Sequence, residues 1–139
     1  MGVLAVRNFT RTPVSGFPFA RTARGVLPDW DISLVFVGAL RAKRINHSLR
    51  GKTYTPNVLS YALSPHHGEI IICPQAAKKE AHSFNLSPRQ FIMLLFIHGL
   101  LHLKGYRHGL TMERYERKLL APYASNPAHR YDTTNCNRN

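Results

Sequence analysis

SPRQFIMLLFIHGLLHLKGYRH, residues 87–108, decides how this chain folds. Ser87, Pro88 and Gln90 form a helix start: a hydroxyl at N-cap, a proline where its missing N–H costs nothing, and a glutamine at N3 to complete a capping box. The helix then runs to about Lys104, and Gly105 is the residue expected just past its end. Between Phe91 and Leu103 it is apolar on every side, which marks it as the buried central helix of the domain. That run is 13 residues long, short of the roughly 20 a membrane span needs.

Two histidines interrupt the leucines. His98 and His102 are four apart, about 40° around the axis and about 6 Å along it, so both imidazoles leave one helix face. A turn at Gly105 can fold His108 back toward them. A lone histidine on an apolar helix is more often a hydrogen-bonded core residue. A pair one turn apart, with a third past a glycine end, points instead to a metal. Three imidazoles leave one tetrahedral position for water, the layout of a catalytic zinc. The zinc-protease pattern H-E-x-x-H places a glutamate base after its first histidine. Here that position is Gly99, which lets backbone or substrate come close but takes no proton.

Around this helix the chain alternates short strands and helices. Strands are expected at Val3–Phe9, Asp31–Gly38, Val58–Leu63 and Glu69–Cys73. The last two are joined by the tight turn SPHHG as a hairpin. Helices are expected over Pro18–Leu27, over residues 39–51 with Leu40, Ile45 and Leu49 as its apolar stripe, and from Pro74. A last helix is expected after Thr111 as its cap. The expected class is α+β: one domain over residues 1–123, a mixed sheet of about four strands, and helices packed on it with the His98 helix at the centre. Residues 124–139 are polar, have no period and read as a disordered tail.

Lysine and arginine number 19 against 7 acidic residues, a formal charge of +12. An excess this large in one domain points to a polyanionic partner such as nucleic acid. Arg41, Lys43, Arg44, Arg50 and Lys52 form the densest cluster, where an RNA backbone is expected. Cys73 and Cys136 are the only cysteines, no disulfide framework, so a soluble protein of a reducing cytoplasm is expected. His47, His66 and His67 read as exposed residues, Cys73 as a buried small one. Tyr106 could stack on an unpaired base or pack in the core.

HGLLHLKGYRH closely resembles the H-G-x-L-H-L-x-G-Y-D-H signature of the YbeY-type proteins, single-domain bacterial metalloendoribonucleases of ribosomal RNA maturation. INHSLRGK (residues 45–52), NVLSYAL (57–63) and GEIIICPQAAKKEA (68–81) are similar, in order, to further family segments. The resemblance covers roughly residues 30–122. It implies one zinc per chain on His98, His102 and His108, a functional Arg50, and single-stranded ribosomal RNA as substrate. It implies a role in rRNA maturation and ribosome quality control, with the ribosome as partner and neither membrane binding nor DNA specificity. Arg50 would hold a phosphate bidentately. The chain departs from the signature at Arg107, where the family has aspartate, and at Pro56, where it has threonine. Arg107 could serve as a second phosphate clamp beside Arg50. Two rival readings stand: a zinc hydrolase of peptides or small molecules, disfavoured by the missing glutamate and the charge, and a non-catalytic ribosome-binding factor with structural zinc.

Overall fold

The apolar helix needs two firm ends, and it has them. The structure, a computed structural model, describes residues 2–123. In it α4 (Pro88–Lys104) begins with both halves of the capping box: Gln90 N donates to Ser87 Oγ at 3.1 Å, and Ser87 N donates to Gln90 Oε1 at 2.9 Å. Gly105 closes it at φ 111°, a left-handed conformation that costs a residue with a Cβ. Every residue from Gln90 through Leu101 is buried.

The other elements assemble around α4 in the order β1 (Leu4–Asn8), α1 (Phe19–Val26), β2 (Asp31–Phe36), α2 (Ala39–Arg50), β3 (Val58–Ser64), β4 (His67–Ile72), α3 (Pro74–Ala81), α4 and α5 (Leu110–Leu120). The sheet order is β1-β2-β4-β3, with β1, β2 and β4 parallel and β3 antiparallel to β4. This is the mixed four-stranded α+β sheet expected. The SPHHG hairpin is present, with Pro65 and His66 as its turn and Ser64 opposite His67. Among the described residues no single helix is long and apolar enough to cross a membrane. The tail expected over 124–139 lies outside the described residues.

Strand alternation divides the interior in two. Ile32, Leu34, Phe36, Val58, Ile70 and Ile72 belong to the main core with α1 and α4. Val35, Leu59, Ile71 and Cys73 form a smaller one under α2. α2 corrects the expected stripe: Leu40 and Leu49 are exposed at 64% and 53%, while Ala42 and Asn46 are buried. A small side chain lets the helix approach the sheet. The Asn46 amide is buried because it has work inside, donating to Tyr54 O at 3.0 Å and so tying down the loop after α2. The start of α5 also differs. Gly109 precedes the helix and Thr111 is its second residue, with no side-chain cap.

Of the two close approaches Gly99 allows, the structure shows that of the protein itself: α4 against β4. A Cβ there would stand 3.0 Å from Ile70 Cγ2, so the glycine lets α4 lie directly on β4. Gly99→Val is therefore expected to cost about 1–3 kcal/mol by overpacking, read as a lower midpoint of thermal unfolding. In the Ile70→Ala background that cost should shrink, because the clashing atoms are gone. Equal costs in both backgrounds would show that the contact is not the cause.

Candidate metal centre

The geometry of α4 brings the first two imidazoles together. His98 is fully buried, His102 half-buried, and their Nε2 atoms are 3.0 Å apart. Gly105 turns the chain, and exposed His108 comes back to them, its ring centroid 5.0 Å from that of His98 and 4.7 Å from that of His102. One ligand atom from each of the three lies within 4.8 Å of the other two.

Hydrogen bonding fixes which nitrogen faces inward. His102 Nδ1 lies 2.9 Å from Tyr106 O, a carbonyl that can only accept, so Nδ1 carries the proton. His98 Nδ1 lies 3.1 Å from Glu116 Oε1, a carboxylate whose side chain is buried, and donates likewise. Each ring then turns Nε2, the nitrogen left to accept, toward the same point. Two such acceptors 3.0 Å apart repel unless a cation or proton sits between them. A metal dication meets that need. Three imidazoles, one backed by a carboxylate and one by a carbonyl, match the usual outer bonding of histidine zinc ligands.

Glu116 is the residue the sequence reading missed. It lies on the buried face of α5 with Met112, Glu113 and Leu120. A glutamate one turn from Met112 and from Leu120 is the signal that could have revealed it, since a carboxylate on an apolar stripe needs a polar partner inside.

A cleft of about 520 Å³ opens beside the histidines, lined by Leu49, Arg50, Leu59, Ser60, Tyr61, His102 and His108. Arg50 thus shares a cavity with two of the candidate ligands. Its Nη1 donates to Tyr54 Oη at 2.8 Å and to Asn46 Oδ1 at 3.3 Å. These bonds fix the guanidinium plane and, among the described residues, leave the donors on Nε and Nη2 for a ligand. Tyr61 donates a hydrogen bond to Glu69 across the β3–β4 pair. Burial first, then that bond and the nearby negative charge, push the phenol well above its ordinary pKa, so it stays neutral.

The remaining candidates lie elsewhere. Arg41, Lys43, Arg44 and Lys52 are exposed and do not line the cleft. Arg107 is exposed beside His108 and is not among the lining residues either. Tyr106 packs against the main core with its ring 5.5 Å from that of Tyr115, and its carbonyl holds His102. Cys73 is buried, and burial raises its thiol pKa. His66 is the hairpin-turn residue, at φ 62° and with its ring 5.7 Å from that of Trp30.

Known proteins resemble this chain in sequence and in fold. The family model described as endoribonuclease YbeY matches residues 9–124. A Neisseria meningitidis serogroup B protein named endoribonuclease YbeY is 42% identical over 89 residues, 56% of this chain and 53% of that one. A Bdellovibrio bacteriovorus protein of the same name is 36% identical over 80 residues, 56% of this chain and 53% of its own. One from Spiroplasma citri is 30% identical over 105 residues, 66% of each chain. The chain thus spans about half the length of the first two of these relatives. The solution structure of a Thermotoga maritima protein superposes with a TM-score of 0.61 at 21% identity, over 94% of this chain and 97% of that one. At that identity the likeness is one of fold.

Proposed function

The chain belongs to the YbeY family, and from that premise we propose that it is a zinc-dependent endoribonuclease that cuts unpaired RNA in ribosomal RNA maturation and ribosome quality control. Its expected setting is the bacterial cytoplasm, with the ribosome as partner. The observation that carries the reading is the shared cleft: an arginine held in one plane faces the same cavity as two of three clustered histidines.

His98 and His102 would hold the zinc through Nε2, with His108 as third ligand. Such an ion supplies Lewis acidity, which polarises a phosphoryl oxygen and makes a nearby water acidic enough to attack at neutral pH. The rest of the work falls to side chains. Glu116 and the Tyr106 carbonyl keep the two rings in the required tautomer. Arg50 offers a planar pair of donors to the scissile phosphate and to charge growing on its oxygens. Asn46 and Tyr54 keep that plane fixed before substrate arrives, so little order is lost on binding. Among the described residues that line the cleft none is a carboxylate, so they supply no counterpart of the base that peptide hydrolysis of the H-E-x-x-H type uses. That favours an anionic phosphodiester over a peptide.

The test is an assay of zinc-quantified protein on a single-stranded RNA, an RNA duplex, a peptide and a simple phosphodiester. Cleavage of the single strand is expected, with little or none of the duplex or peptide. In Arg50→Ala, kcat/KM should fall about 10- to 150-fold, the loss of one charge-assisted contact of about 1.5–3 kcal/mol. Peptide cleavage without RNA cleavage would overturn the proposal.

A further inference from the structure

Phe9 stands just past the end of β1 with 57% of its surface exposed. Its amide still donates to Phe36 O at 2.9 Å, so it continues the ladder. Alternation places its side chain on the sheet face that carries Arg7 and lies under α2. Above the ring, 4.6 Å from its centroid, lies the guanidinium of Arg41.

This pair is remote from the metal centre. On α2, at about 100° per residue, Ala42 and Asn46 mark the side turned to the sheet. Arg41 falls on one flank of that side, Lys43 and Arg50 on the other. The strand order agrees, since β1 forms one edge of the sheet and β3, which lines the cleft, the other. Three strand intervals, about 14 Å, separate those edges. The catalytic reading uses neither Phe9 nor Arg41.

A single exposed apolar residue calls for no explanation. Two further facts set this one apart. The first is the guanidinium cation that lies over its ring. The second is charge: no aspartate or glutamate occurs in residues 1–28 or 32–68, so β1, α1, α2 and β3 carry no carboxylate. Asp31, the first residue of β2, receives Val3 N, at the far end of β1 from Phe9. Exposed Arg7 shares the sheet face of Phe9, and exposed Arg11 and Arg44 follow Phe9 and Arg41 by two and three residues in the chain. Such a surface asks for a ligand that is both polyanionic and flat. A second copy of this chain would set like charges against each other, and a duplex hides its base faces.

We propose that the Phe9–Arg41 face is a second binding site for single-stranded RNA, on the opposite flank of α2 from the cleft. An unpaired base stacks on the Phe9 ring or on the Arg41 plane, and the neighbouring arginines take the adjoining phosphates. The inference rests on the RNA reading above and extends it: the cleft cuts, and this face holds the strand.

Steady-state cleavage of a 4-nucleotide and a 16-nucleotide single strand by zinc-loaded protein tests it. Wild type should have the lower KM for the longer strand. Phe9→Ser should raise that KM about 5- to 150-fold, as for one lost stacking contact, leaving kcat and both constants of the short strand unchanged. Phe9→Tyr should behave as wild type. An unchanged KM in Phe9→Ser would overturn the site. So would an equal loss of affinity for a 16-base-pair duplex, which would mean charge without stacking. A dimer in sedimentation that Phe9→Ser dissolves would also overturn it, since a second copy would then cover the face. If wild type cuts neither strand, the nuclease reading falls by itself. Anisotropy of a labelled 16-mer on wild type and Phe9→Ser then decides this site alone, with equal binding counting against it.

Discussion

His98→Ala combined with His102→Ala is expected to abolish stoichiometric zinc. The double change removes both Nε2 atoms that face each other at 3.0 Å and leaves only His108, which is exposed. One imidazole on a surface turn does not hold a dication against water. Elemental analysis of purified protein should fall from one zinc per chain to near none, and full retention would overturn the assignment. Stability should fall as well. His98 is fully buried and partners Glu116, so its removal strips a buried carboxylate of an ionic hydrogen bond. Circular dichroism on each single variant separates loss of ligand from loss of fold.

Glu116→Ala should weaken zinc binding about 10- to 100-fold without changing the number of sites. The carboxylate holds His98 with Nδ1 protonated and makes the opposite nitrogen a better donor. Alanine removes both effects and frees the ring to turn. Glu116→Gln keeps an acceptor oxygen without the charge, so its affinity should fall between alanine and wild type. Competition against a chelator measures all three. The same affinity in alanine as in wild type would show that Glu116 serves only the packing of α5.

How much of this was legible in the sequence depended on the range of the forces involved. The start and end of α4 were readable because a cap is a contact between neighbours: Ser87 with Gln90, and Gly105 with its own backbone. The central position of α4 followed from its being apolar on every side. The His98, His102 and His108 grouping followed from helix pitch and one turn. What was missed depends on how elements pack. The sequence pattern offered Leu40 and Leu49 as the sheet contacts of α2, but the close approach there needs a small Ala42 and an Asn46 that bonds across to Tyr54. The place of Gly99 depends on Ile70, twenty-nine residues earlier on β4. Glu116 was passed over because only the docking of α5 on α4 brings it to His98. The basic cluster of α2 looked like one patch in sequence, and the helix divides it between two flanks.

The three histidines also differ in how firmly they are carried, with His98 and His102 set in the buried or half-buried wall of a core helix and His108 on an exposed turn past Gly105. Affinity is an equilibrium property of all three, whereas the lifetime of the bound ion is set by whichever lets go first. Dissociation should begin at His108, as local opening of the turn, which needs none of the core to unfold. With a metal bound, the helix pair would act as a standing anchor and His108 as a latch. Residence time can therefore change through the turn 105–109 while the anchor remains intact. Metal exchange in this protein should be governed by the mobility of that turn rather than by the stability of the fold.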